Sequence, residues 1–296
     1  MDMETKNIYI RSKGNKIALT AFYKDKDMLN SLKEKPCIFF LPGTMANPYT
    51  YWNFIEEMVK YDVVVVGLHY IGHGLADRVD KFNFSDLKQN AIDGFKYVKD
   101  NLSLFGTDII IFGHSQGGIL ASSLIGLNLT KKYILGNLII SNQKDVKDLI
   151  GLSKVPSFLI PFVRIYLKIL GKIKGSKKLK FGDYVKAAED ESDEENIGED
   201  PLKIDEYPLS MVTSLININT KNLTRPKREI QEEIFVFAGT NDPIFPLKLQ
   251  KEAFNLIKAK NKHFIQFDTD KHMMYTEHPK ELCELIYKEV IDGKEY

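Results

Sequence analysis

Ser115 lies between Gly113 and Gly117 in the stretch IFGHSQGG (111–118), directly behind the apolar run IIIF (109–112). A glycine-x-serine-x-glycine pattern that closes a buried strand and opens a helix suits a turn too tight for larger side chains, with the serine pushed out at the carboxyl end of a sheet. A helix starting at Gln116 points its free N–H groups at the same place, where an oxyanion can be held. The P-loop spacing, glycine-x4-glycine-lysine followed by serine or threonine, is absent.

A serine hydroxyl is a weak nucleophile at neutral pH and needs a base, which in turn needs an acid to fix its tautomer. Of the six histidines, His272 lies in the loop DTDKHMMY after the last predicted strand and is expected to be the base. His114 sits inside the turn and should point away from Ser115. His263 begins a predicted strand, and His278 precedes Pro279 at a helix start. The acid is expected to be Asp242, in the loop of IFVFAGTNDPIFP, with Asp268 and Asp270 as alternatives beside His272. The backbone N–H of Thr44, in FFLPGTMANPYTYW, is expected to join that of Gln116 in an oxyanion hole, with Gly43 turning the backbone.

The elements that must position these groups are legible as short apolar runs: CIFFL (37–41), VVVV (63–66), IIIF (109–112), LGNLII (135–140), IFVFA (234–238) and HFIQF (263–267). Continuous apolarity fits strands buried on both faces of a parallel sheet. Helices are expected over 48–60, 84–101, 116–129, 247–259 and 279–291, so that strands and helices alternate as right-handed crossovers demand. The opening NIYIRSKGNKIALTAFYK alternates about a Gly14-Asn15 turn, as an antiparallel hairpin would. The expected class is therefore α/β, a mostly parallel central sheet flanked by helices. The core spans 1–141 and 231–296. Residues 142–230, which contain no convincing strand, form an inserted, mostly helical lid.

These segments together resemble the α/β-hydrolase superfamily over nearly the whole chain. LPGTMANPYTYW resembles the oxyanion loop usually written His-Gly-x, GLHYIGHGLADR the Gly-His-Gly loop, and GHSQGG the nucleophile elbow. AGTNDPIFP and DKHMMYTEHP resemble the acid and base loops. The insertion before the acid strand, followed by EDPLKIDEYPL, is most similar to the branch holding monoacylglycerol lipases and lysophospholipases. Two departures stand out: Pro42 where many members carry histidine, and Leu68-His69-Tyr70 where relatives often have an aspartate ahead of the Gly-His-Gly. The resemblance implies a serine hydrolase that cleaves carboxylic esters through an acyl-enzyme, with no cofactor or metal. Other readings of the same residues are a hydrolase of thioester, amide or carbon–carbon bonds, or a ligand-binding protein on this fold.

Bulk composition fits that picture. Among the 296 residues, 44% are hydrophobic and 27% charged, which is ordinary for a globular protein. Lys plus Arg number 41 against 40 Asp plus Glu, a balance that gives no reason to expect a nucleic-acid partner. Cys37 and Cys283 are the only cysteines, without metal-ligand spacing, and the N-terminus has no apolar signal segment. A reducing, cytoplasmic setting is expected. VPSFLIPFVRIYLKIL followed by KIKGSKKLK places an apolar face beside basic residues, suited to admitting acyl chains or to peripheral contact with an anionic membrane. The acidic run EDESDEENIGED lacks the EF-hand pattern and is expected to be a solvated loop.

Overall fold

The computed structural model describes residues 3–24, 35–101, 109–140, 156, 159–180, 202, 204–215 and 217–292. Its centre is an eight-stranded sheet in the order β1-β2-β4-β3-β5-β6-β9-β10. The strands are β1 Glu4–Ser12, β2 Asn15–Tyr23, β3 Cys37–Leu41, β4 Val64–His69, β5 Ile109–His114, β6 Lys132–Gly136, β9 Glu233–Gly239 and β10 Lys262–Phe267. Only β2 runs against its neighbours, and every pair from β4 to β10 is parallel. All residues of β3 and β4 are buried, as a sheet covered on both faces requires.

Helices α1 (Trp52–Lys60, entered through a 3-10 turn at Pro48–Tyr51), α2 (Phe84–Asp100), α3 (Gln116–Leu124), α7 (Leu247–Leu256) and α9 (Pro279–Ile286) supply the cover. The start of α2 is set by Asn83, whose side chain accepts the Ser85 N–H while Asp86 returns a bond to the Asn83 N–H. One hydrophobic cluster joins α2 and α3 to one sheet face through Phe39, Leu68, Phe95 and Leu120. The other joins α1 and α9 to the opposite face through Phe40, Phe54, Phe112 and Ile286.

Several expected boundaries move. The hairpin turns at Lys13 and Gly14, both with positive φ, so Asn15 already begins β2. The strand expected at 135–140 is instead β6 at Lys132–Gly136, because Asn137 takes φ +53 and turns the chain out of the ladder. Leu138, Ile139 and Ile140 are nonetheless buried, and burial alone does not distinguish a strand from a packed loop. Helix α3 stops at Leu124, two residues before Gly126 at φ +82.

Between β6 and β9 the described residues form α4 (Ile160–Ile173), β7 (Lys178–Lys180), β8 (Glu206–Pro208), α5 (Leu209–Leu215) and α6 (Lys221–Thr224). The β7–β8 pair is antiparallel and corrects the expectation of a strandless segment. Three-residue strands are too short to leave a periodic signal. α4 crosses α5 closely at Gly171, where a Cβ would lie 2.1 Å from Thr213 Oγ1. This part is tied to the core by Ser210 Oγ donating to the Phe82 carbonyl (2.6 Å), by the Phe84 N–H donating to Ser214 Oγ (2.8 Å) and by Arg78 donating to the Leu202 carbonyl (3.0 Å). The acidic run lies outside the described residues. Helix α8 (Met274–Glu277) completes the chain before α9.

Candidate active site

The turn from β5 into α3 holds Ser115 at φ +53, ψ −119, a conformation uncommon for any residue with a side chain. Its neighbours must be glycine. A Cβ on Gly113 would sit 2.0 Å from the Gly117 carbonyl oxygen, and one on Gly117 would sit 1.9 Å from the Leu41 carbonyl oxygen. The turn is pinned from the side by the Ser115 N–H donating to the Gly136 carbonyl of β6 (2.9 Å).

Around Ser115 the three loops at the carboxyl ends of β5, β9 and β10 converge. Ser115 Oγ lies 2.9 Å from His272 Nε2, and His272 Nδ1 lies 2.9 and 3.0 Å from the two oxygens of Asp242. All three residues are buried. Facing a carboxylate, Nδ1 carries the ring proton, which leaves Nε2 as acceptor for the serine O–H. Asp242 Oδ1 also accepts the N–H groups of Ile244 and Phe245 (2.8 Å each), and Oδ2 accepts the Asn137 side-chain amide. Burial pushes the Asp242 carboxyl upward, but His272, the Phe245 amide and Asn137 outweigh it and hold its pKa below the ordinary value. Asp268 and Asp270 are exposed, and Asp268 accepts the Thr240 hydroxyl instead.

Asn137 was not visible as a site residue in the sequence. An asparagine after a glycine is a turn signal, and nothing in its spacing shows that it reaches Asp242.

His114 turns away from Ser115 into a second network. Its Nε2 donates to the His272 carbonyl (3.1 Å), so its Nδ1 accepts the Tyr51 O–H (2.7 Å), and the Tyr51 oxygen accepts the Gly43 N–H (3.1 Å). Burial lowers the His114 pKa to about 3, keeping the ring neutral. The loop at Gly43 and the loop at His272 are thereby held against one buried imidazole.

The loop 42–45 is fastened at three points. Tyr70 O–H donates to the Pro42 carbonyl (3.1 Å), Tyr51 takes the Gly43 N–H, and the Met45 N–H donates to the Tyr207 hydroxyl (2.9 Å). Between these anchors the Thr44 N–H has no acceptor among the described residues, and the same holds for the Gln116 N–H at the start of α3. Pro42 costs this loop nothing it uses, since its carbonyl is the group engaged.

His69, in the other departure from the family pattern, is wholly buried and neutral. Its Nδ1 accepts the Leu75 N–H (3.2 Å), and its Nε2 donates to Thr20 (2.9 Å), which passes a proton donor on to Asn7 (2.7 Å). It fastens the Gly-His-Gly loop to β2. His263 stacks on Phe235, and His278 reaches Thr269. Among the described residues no group of three or more His, Cys, Asp or Glu side chains is placed to hold a metal ion, and no helix is long and apolar enough to cross a membrane. Cys37 and Cys283 are buried and unbridged.

The family model described as serine aminopeptidase, S33, matches residues 33–279. No curated protein matches the chain. Among solved structures, a monoacylglycerol lipase from Paleococcus ferrophilus is similar at 16% identity and TM-score 0.64, covering 99% of this chain and 100% of that one. A soluble variant of monoglyceride lipase from Saccharomyces cerevisiae, with a substrate analogue, is similar at 13% identity and TM-score 0.70, covering 98% and 96%. Est1E from Butyrivibrio proteoclasticus, with ferulic acid, is similar at 19% identity and TM-score 0.62, covering 96% and 98%.

Proposed function

The chain belongs to the serine aminopeptidase S33 family of α/β-hydrolases, and from that premise we propose that it is a serine hydrolase of carboxylic esters. The observation that carries the reading is the unbroken run of hydrogen bonds from Ser115 through His272 to Asp242, together with the Thr44 and Gln116 amides, which have no acceptor among the described residues.

Ser115 Oγ attacks the ester carbonyl carbon while His272 Nε2 takes its proton. The Asp242 carboxylate keeps the ring in the required tautomer and stabilises its charged form. The Thr44 and Gln116 N–H groups receive the oxyanion. Collapse of the tetrahedral species breaks the bond to the alcohol oxygen, to which His272 returns the proton, leaving an acyl-serine. Water, deprotonated by His272, then releases the carboxylic acid and restores Ser115.

Residues 142–230 are assigned as the lid. Ser115 is only 7% exposed, in keeping with a covered site. On α4 the exposed side chains Phe162, Ile165, Tyr166, Ile169 and Ile173 recur on one helical face, and exposed Lys168, Lys172 and Lys174 lie beside them. An apolar stripe with cations alongside suits an anionic lipid surface. Co-sedimentation with phosphatidylglycerol vesicles, lost in Phe162→Glu/Ile169→Glu, is the expected result. Equal retention on phosphatidylcholine, or self-association through this face in light scattering, would reject that partner.

The activity itself is tested with p-nitrophenyl esters of two to sixteen carbons. Wild type should turn over repeatedly and Ser115→Ala should not, at nearly equal thermal stability. Full activity in the variant would remove Ser115 from the reaction. A folded wild type that acylates once and stops would favour a ligand-binding role.

A further inference from the structure

The geometry points to Tyr207, a residue of the inserted segment, as a positioning residue that sets the oxyanion site of the core; this rests on the hydrolase reading above. Tyr207 is fully buried, and its hydroxyl meets three parts of the core at once. It accepts the Met45 N–H (2.9 Å) from the oxyanion loop. It lies 2.9 Å from His73 Nε2 in the Gly-His-Gly loop and 3.2 Å from Gln116 Nε2 at the head of α3.

Proton bookkeeping assigns each bond a direction. His73 Nδ1 faces the Ile71 carbonyl (3.0 Å) and must donate to it, so His73 Nε2 has only a lone pair. The Tyr207 O–H therefore donates to His73, and the Met45 and Gln116 N–H groups donate to the Tyr207 oxygen. Burial keeps His73 neutral, with a pKa of about 4, so this arrangement persists through the neutral range. One hydroxyl thus satisfies three buried partners.

Its consequence lies one peptide away. The Thr44 N–H belongs to the peptide between Gly43 and Thr44, whose flanks are anchored by Tyr51 at the Gly43 amide and by Tyr207 at the Met45 amide. Met45 itself sits at φ +60, a conformation that a non-glycine residue keeps only when its surroundings impose it. Tyr51 comes from the core and Tyr207 from the segment between β6 and β9. Removing the Tyr207 hydroxyl frees one flank of the Thr44 amide and releases the Gln116 side chain, while Ser115, His272 and Asp242 keep their own bonds. Oxyanion stabilisation is then weakened, while substrate binding and the triad stay in place.

The test compares wild type, Tyr207→Phe and Met211→Ala. Met211 is buried in α5, so its truncation loosens the same segment without touching the hydroxyl. Two quantities are read: steady-state hydrolysis of a p-nitrophenyl ester, and inhibition by an alkyl trifluoromethyl ketone. The ketone adds Ser115 Oγ at its carbonyl carbon, passes the serine proton to His272 and leaves an oxyanion in the hole. Tyr207→Phe should lower kcat roughly 10- to 100-fold, less than deleting an oxyanion donor outright. KM should stay within about twofold, and the ketone should bind more weakly by the same factor as kcat falls. Met211→Ala should melt earlier with ketone affinity unchanged. Ketone affinity unchanged in Tyr207→Phe, whatever happens to kcat, overturns the proposal. Should Tyr207→Phe not fold, His73→Asn, which removes the acceptor of the Tyr207 O–H, should show the same paired loss in smaller measure, and unchanged ketone affinity there overturns it equally. A wild type that neither hydrolyses the ester nor binds the ketone overturns the hydrolase reading and this proposal with it.

Discussion

Asp242 receives more hydrogen bonds than any other group at the site: two from loop amides, one from Asn137 and one shared with His272. Holding a carboxylate ionised and fixed is what a histidine base requires of its acid. Asp242→Asn is expected to lower kcat by roughly 10⁴-fold by analogy with serine proteases, measured under saturating ester. Asp268→Asn and Asp270→Asn should leave it within about twofold, because neither aspartate reaches the imidazole; the reverse order of effects would reassign the acid. Asn137→Ala takes one donor from a buried charge, for which a loss on the order of 2 kcal/mol is typical. It should therefore reduce kcat and thermal stability together. Intact stability with intact kcat would show that Asn137 is dispensable to the acid.

The turn between β5 and α3 is where local sequence and tertiary packing agree most closely. Gly113 and Gly117 were legible as obligatory, and the folded chain supplies the reason: their missing Cβ atoms would collide with the Gly117 and Leu41 carbonyls. Backbone cannot withdraw as a flexible side chain can. Gly117→Ala is expected to destabilise by about 3 kcal/mol or more, read from urea unfolding followed by circular dichroism, and a change below about 1 kcal/mol would contradict that packing. Elements read from long apolar runs fell where expected, whereas β6 begins three residues and ends four residues earlier than its apolar run. Its run LGNLII continues past the strand because the loop after Asn137 is also buried, and hydrophobicity reports burial rather than ladder pairing.

Across the whole molecule, burial lowers the pKa of three histidines, that of His69 and His114 to about 3 and that of His73 to about 4. Their ordinary value is 6.5, so between 6.5 and about 4 the unfolded chain binds protons that the folded chain does not. Stability is therefore retained above pH 6.5 and lost as pH falls, by up to about 1.4 kcal/mol per pH unit for each histidine. Asp242, with its pKa lowered, adds a further loss only below its ordinary 3.8. Urea midpoints at pH 7, 6 and 5 should fall steeply, and His69→Gln should have a shallower dependence than wild type. A flat profile from pH 7 to 5 would mean that these rings are accessible to protons in the folded state.

Read from residue order alone, the chain already reveals the alternation of buried strands and helices, the serine between its glycines, and the positions of Asp242 and His272 after successive strands. Those features are local: a tight turn needs glycine, and a strand buried on both faces needs an apolar run. The contacts of Tyr51, Asn137 and Tyr207 are of another kind. Each is a single polar atom that meets its partner across 8, 105 or 162 positions of sequence, Gly43, Asp242 and Met45 respectively. No residue type or spacing encodes such a meeting, because it depends on how the loops stack at one end of the sheet. The short β7–β8 pair belongs with them, since three residues carry no period and gain their place only from the chain around them.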